Sequence, residues 1–145
     1  EPYDHARLEM QGLVRLLLVP FLEQADETDA LRRLEAAGRF ASVLDFIDAN
    51  ISRPIQLEEL AEILHLHPTY FSNQFTEHFG IPPRRWILQR RIEEAQRLLI
   101  STELPVSAVA SRVGYDDQFY FSRLFRKYAD ISPAAYRQSK RKQEF

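Results

Sequence analysis

The sequence contains one small unit twice, and this repeat limits the fold more than any other feature. "LEELAEILHLHPTYFSNQFTEHFGIPPRRW", residues 57–86, lies over "VSAVASRVGYDDQFYFSRLFRKYADISPAAY", residues 106–136. Phe71 matches Phe121, Ser72 matches Ser122, Phe75 matches Phe125, Ile81 matches Ile131, Pro83 matches Pro133 and Trp86 matches Tyr136, each fifty positions on. Upstream, Leu60, Ala61 and Leu64 match Val109, Ala110 and Val113 at forty-nine, so the one-residue difference falls in the turn. Each unit reads as a short apolar helix, a tight turn and a longer helix, and the small Ala61 and Ala110 permit the close crossing of a helix-turn-helix. Gly114 suits the positive φ of such a turn. Between the units, "PPRRWILQRRIEEAQRLLI" starts on proline and continues with strong helix formers. About 18 residues at 1.5 Å each make a rod of roughly 27 Å, comparable with the roughly 34 Å between successive major grooves on one side of DNA.

The rest of the chain has the same period, with apolar residues recurring at three and four, and the class is all-α. A first amphipathic helix is expected from about Ala6 to Glu23, kinked or ended by Pro20. A second runs from an N-cap at Asp26 or Thr28 to Gly38, a residue suited to the left-handed turn that closes helices. A third is "RFASVLDFIDANI", striped by Phe40, Val43, Leu44 and Ile47 and broken by "SRP" at 52–54. Residues 1–38 are read as the helical end of a sensor or dimerisation region, or as a linker. Residues 39–140 are the double helix-turn-helix, and 141–145 a basic tail. The chain begins with Glu1 rather than Met and is read as a piece of something longer.

Net charge is only −2, but its distribution is uneven. Residues 1–53 carry six arginines against ten acids, whereas from Arg84 onward thirteen basic residues face seven acidic ones. The basic half is the candidate surface for a polyanion. With no cysteine, disulfide frameworks, Cys-bearing zinc sites, iron–sulfur clusters and thiol nucleophiles are excluded. The stretch "LVRLLLVPFL", residues 13–22, falls short of the roughly 20 residues of a membrane span, and neither a span nor a signal peptide is assigned.

A 100° wheel separates the faces of each longer helix. Phe121, Leu124, Phe125 and Tyr128 point inward, as do Phe71, Gln74, Phe75 and His78. The outward sets are Phe119, Tyr120, Ser122, Arg123, Arg126 and Lys127 in the second unit, and Thr69, Tyr70, Ser72, Asn73, Thr76 and Glu77 in the first. Arg123 suits guanine, Asn73 suits adenine, and Thr69 or Phe119 can meet a thymine methyl. Arg126, Lys127 and Arg137 suit phosphate. Phe119, which lies in phase with Arg123, can instead pack on Tyr115 or on a partner domain.

"LxxLA", "YFSNQFTEHFGIPP", "RRIEEAQRLL" and above all "VGYDDQFYFSRLFRKY…ISPAAYR" carry a resemblance. Over about residues 40–140 the chain resembles the C-terminal DNA-binding domain of the AraC/XylS family of bacterial transcription regulators. The resemblance implies two helix-turn-helix subdomains joined by one helix, with both second helices in adjacent major grooves. Carried over, the base readers are Thr69, Tyr70, Ser72 and Asn73, then Gln118, Phe119, Tyr120, Ser122 and Arg123. Thr76, Arg84, Arg85, Arg126, Lys127 and Arg137 are the phosphate set. It further implies a cytoplasmic, nucleoid-associated protein whose partners are double-stranded DNA and RNA polymerase, with a homodimer contact upstream and a small-molecule effector on a sensor domain. No cofactor and no membrane partner are expected.

The chain departs from the family pattern twice. His65 stands where the first turn usually has glycine, which predicts a first unit that is strained or differently docked. Asn73, with Glu77 nearby, stands where arginine is common, so the second helix is expected to supply more of the electrostatic grip. "HLHP" at 65–68, with His78 and His5, invites a metal reading, but it lacks a ligand set at fixed spacing and a helix turn explains it. No glycine-rich phosphate loop or nucleophile elbow is present, and Glu58, Glu59, Glu93 and Glu94 read as solvated helix faces, so no enzyme activity is expected. The rival class is a helical protein–protein interaction module that uses the same units and the leucine-rich first helix.

Overall fold

The computed structural model describes residues 27–141, and all regular structure among them is helical. The elements are α1 (Glu27–Ala49), α2 (Leu57–Ile63), α3 (Pro68–Phe79), α4 (Pro83–Ser101), α5 (Val106–Arg112), α6 (Gln118–Ala129) and α7 (Pro133–Arg141). The helix expected over Ala6–Glu23, the Asp26 cap and most of the basic tail lie outside the described residues. The chain divides into two compact units, residues 1–41 and 42–145. Among the described residues no helix is long and apolar enough to cross a membrane.

One helix stands where the sequence predicts two. Gly38 does not end a helix but sits inside α1, and a Cβ added there would meet nothing within 4 Å. A lone glycine weakens a helix by about 1 kcal/mol relative to alanine, too little to break it when the residues on both sides continue the turn. α1 stops instead at Asn50, whose side-chain amide donates back to the Phe46 carbonyl at 2.8 Å.

The two helix-turn-helix units repeat each other atom by atom at their turns. Leu66 N donates to Ala61 O at 3.0 Å, and Tyr115 N donates to Ala110 O at 2.9 Å. His65 takes φ 53° and Gly114 takes φ 86°, so the first turn has the same left-handed form as the second. The residues differ because their surroundings differ. A Cβ at 114 would lie 2.8 Å from the Ile51 carbonyl oxygen and 3.0 Å from the Arg91 guanidinium, while the His65 side chain is 88% exposed. Histidine tolerates the left-handed region moderately well, and nothing crowds it at 65.

Rings brace each unit at matching positions. Phe71–Phe75 and Phe121–Phe125 both have centroids 5.8 Å apart, and all four side chains are fully buried. Trp86 meets Phe75 edge-on at 5.9 Å, as Tyr136 meets Phe125 at 5.5 Å. Gln74, Leu124 and Tyr128 are half-buried, but His78, expected inside, is exposed. Phe79 occupies the space beneath it, 4.5 Å from Phe75 and 4.8 Å from Trp86, and His78 stands edge-on to Phe79.

The linker helix α4 serves both units. Its first turns bring Trp86 to the first core, while Ile92, Ala95, Leu98 and Leu99 pack with Val109, Ala110, Val113, Phe121 and Phe125 in the second. Arg91, midway along, donates to the Arg53 carbonyl at 2.7 Å and lies over the Tyr115 ring at 5.3 Å. Arg90 beside it pairs with Asp48 of α1 at 2.9 Å. The segment after α1 is thereby tied to the linker and to the second turn. Arg53 also grips Glu59, whose carboxyl is held below its usual range first by that bond and then by the Gln56 amide.

Candidate nucleic-acid interface

Both longer helices begin on a cap that orders their first turn. Asp117 Oδ1 accepts the amides of Phe119 at 2.8 Å and Tyr120 at 3.2 Å, while His67 Nδ1 accepts that of Thr69 at 3.3 Å. The orphan N–H groups are satisfied by these side chains, so the residues just inside each cap are held in place. His67 is thus accounted for as a helix cap. Left-handed residues also end both helices, Gly80 at φ 76° and Asp130 at φ 65°.

The outward wheel positions are only partly exposed, with Thr76 among the half-buried ones. Thr69, Tyr70 and Asn73 on α3 are exposed, as are Phe119, Tyr120, Arg123, Arg126 and Lys127 on α6; Ser72, Gln118 and Ser122 are half-buried. Exposed large apolar side chains are unusual enough on a small domain to need a reason. Three of them cluster at these two helix starts: Phe119 at 69%, Tyr70 at 55% and Tyr120 at 50%. Tyr120, not Phe119, is the ring that approaches Tyr115, at 6.0 Å. Burial raises the Tyr115 hydroxyl pKa, and the nearby Arg91 guanidinium partly opposes this.

Two of the expected phosphate residues are otherwise engaged. Arg137 donates Nε to Leu99 O at 3.1 Å and Nη2 to Leu104 O, so its guanidinium satisfies a carbonyl in the last turn of α4 and one in the loop beyond. Helix ends leave such carbonyls without partners, and a long cationic side chain arriving from another helix supplies them. Arg137 is therefore a brace between α7 and α4. Thr76 gives its hydroxyl hydrogen to Ser72 O at 2.7 Å, a bond within α3 itself.

The remaining cations sort by partner. Arg53, Arg90 and Arg97 are paired with Glu59, Asp48 or Glu93, and Glu94. Among the described residues no carboxylate pairs with Arg84, Arg85, Arg123, Arg126 or Lys127. Arg84 and Arg85 share a cleft of about 640 Å³ with Lys127, Leu88 and Tyr128. Nothing in the sequence signals that this cleft joins the first turn of the linker helix to the last turn of α6. On α3 the exposed charged residue is Glu77, whereas α6 and the first turn of α4 together present Arg84, Arg85, Arg123, Arg126 and Lys127.

The family description "Helix-turn-helix domain" matches residues 60–139. The arabinose operon regulatory protein of Escherichia coli (strain K12) is 32% identical over 132 residues, 84% of this chain and 44% of that protein. The MmsAB operon regulatory protein of Pseudomonas aeruginosa is 41% identical over 90 residues, 62% of this chain and 29% of that protein. The chain thus spans less than half the length of these relatives. Among solved structures, the DNA-binding domain of the global transcriptional factor AdpA, in complex with a target DNA, superposes with a TM-score of 0.67 at 29% identity, covering 72% of this chain and 94% of that one. The C-terminal domain of AraT, a response regulator from Geobacillus stearothermophilus, superposes with a TM-score of 0.66 at 37% identity, covering 70% and 84%. With the repeated unit, its capped outward helices and a match over more than half its length, the chain belongs to the AraC/XylS family of transcription regulators, and residues 60–139 are its helix-turn-helix domain.

Proposed function

We propose that this chain binds double-stranded DNA sequence-specifically and regulates transcription, with α3 and α6 each entering one of two successive major grooves. The observation that carries this reading is the pair of capped, outward-facing helix starts at fifty-residue spacing, accompanied by cations that no carboxylate neutralises among the described residues. The 19 residues of α4 make a rod of about 28 Å, commensurate with one turn of DNA. Thr69, Tyr70, Ser72 and Asn73 read the first groove, and Gln118, Phe119, Tyr120, Ser122 and Arg123 the second. Arg84, Arg85, Arg126 and Lys127 hold phosphates, which position the protein without reading sequence. The relatives' names support action in transcription. RNA polymerase contact, an upstream dimer contact, an effector and a bacterial cytoplasmic location belong to the same proposal.

Affinity for duplex DNA is expected to fall steeply with salt, because each neutralised phosphate releases counterions; four such contacts give a log–log slope near −4. A flat response would sink the reading in favour of the interaction module. Lys127→Ala is expected to weaken cognate and scrambled duplexes alike and to lower the slope by about 1. Arg123→Ala is expected to cost about 1–3 kcal/mol on the cognate site and relax preference at one position. An equal loss on scrambled duplex would remove Arg123 from the reading set.

A further inference from the structure

The exposed rings at the start of α6 are not equivalent, and the difference narrows the DNA sequence the domain selects. Tyr120 is braced against Tyr115, which itself packs on Phe121 and beneath Arg91. Among the described residues Phe119 has no ring partner and is the most exposed large apolar side chain, at 69%. Its amide is fixed by Asp117, so the ring projects from an ordered turn. A phenyl ring forms no hydrogen bonds with base edges. The one apolar group that the major groove offers on an unmodified base is the thymine 5-methyl.

Position is the second half of the argument. Phe119 and Arg123 are four residues apart on one helix, hence neighbours on one face and about 6 Å apart along its axis. Fifty residues earlier the same two positions on α3 hold Thr69 and Asn73, both exposed. The second unit therefore presents an apolar ring and the first a methyl beside a hydroxyl, each followed one turn later by a side chain that can hydrogen-bond bidentately. Asn73 has the geometry for adenine N6 and N7, and Arg123 for guanine O6 and N7.

We propose that each recognition helix reads a thymine methyl and a nearby purine, adenine in the first groove and guanine in the second, with Phe119 and Thr69 as the methyl readers. The proposal rests on the DNA-binding reading above and specifies its substrate. With base pairs stacked every 3.4 Å, the thymine and purine of one pair lie within about two base pairs of each other.

The test uses the 145-residue chain to select duplexes from a random pool, then replaces each thymine of the enriched sequence by deoxyuridine, which deletes only the methyl group. One substitution in the second groove is expected to cost roughly fourfold in affinity, the worth of one buried methyl group. Phe119→Ala is expected to abolish that loss and Phe119→Leu, still apolar, to retain it. The guanine whose identity ceases to matter in Arg123→Ala should lie within about two base pairs of that thymine. Deoxyuridine tolerated at every position, or the same loss in Phe119→Ala, overturns the inference and leaves DNA binding standing. A pool that yields no enriched sequence overturns both.

Discussion

Gly114→Ala lowers the stability of the domain by about 3 kcal/mol, whereas His65→Ala at the matching turn changes it by less than about 1 kcal/mol. Both residues are left-handed, and an L side chain there costs about 1–2 kcal/mol relative to glycine. His65 already carries that cost, so alanine adds little. At Gly114 the cost is new, and it is joined by steric crowding: the added carbon would sit 2.8 Å from the Ile51 carbonyl oxygen and 3.0 Å from Arg91. The carbonyl is backbone and cannot swing aside, and Arg91 is held by Arg53 O and Tyr115. Urea midpoints at unchanged slope measure the pair. A loss at 114 no larger than the about 1–2 kcal/mol of the left-handed conformation would show that the conformation alone, not the approach of Ile51 and Arg91, selects glycine.

Phe125→Ala is the other large effect, about 3–5 kcal/mol, since it empties a fully buried ring site between Phe121 and Tyr136. Against a usual domain stability of about 5–15 kcal/mol this is a large share. Because Ile92, Ala95, Leu98 and Leu99 of the linker lie in the same cluster, the loss should reach α4 and not stay within α6. Amide exchange at Leu98 and Leu99 should therefore quicken together with that of Phe121. Fast exchange confined to residues 118–129 would show that the linker is held independently of the second core.

The helix positions, the turns and the division of α3 and α6 into inner and outer faces were legible from local pattern. Period 3.6 marks a buried stripe, proline marks a helix start, and a fifty-residue offset lets each unit check the other. The pattern misled where a neighbour from elsewhere in the chain decides. His78 sits at an inward wheel position but lies exposed, because Phe79 takes the space beneath it. Gly38 resembles a helix end only when the residues that continue α1 past it are given no weight.

Side-chain roles that depend on distant backbone were not legible at all. Arg137 and Lys127 look alike in sequence as basic residues near a reading helix. The fold brings the carbonyls of Leu99 and Leu104, 38 and 33 residues away, to Arg137, and brings Arg84 and Arg85 into a cleft with Lys127. Arg91 is likewise one cation among several in "LQRRIEEAQR" until the Arg53 carbonyl, 38 residues before it, is seen to accept its hydrogen bond. The sequence by itself determined a duplicated helix-turn-helix whose second longer helix is the more basic, since periodicity and repetition are properties of local chemistry. Only the tertiary structure decided which cations are offered to a ligand and which hold the fold, because that choice depends on which carboxylates and orphan carbonyls the chain's return path places within reach.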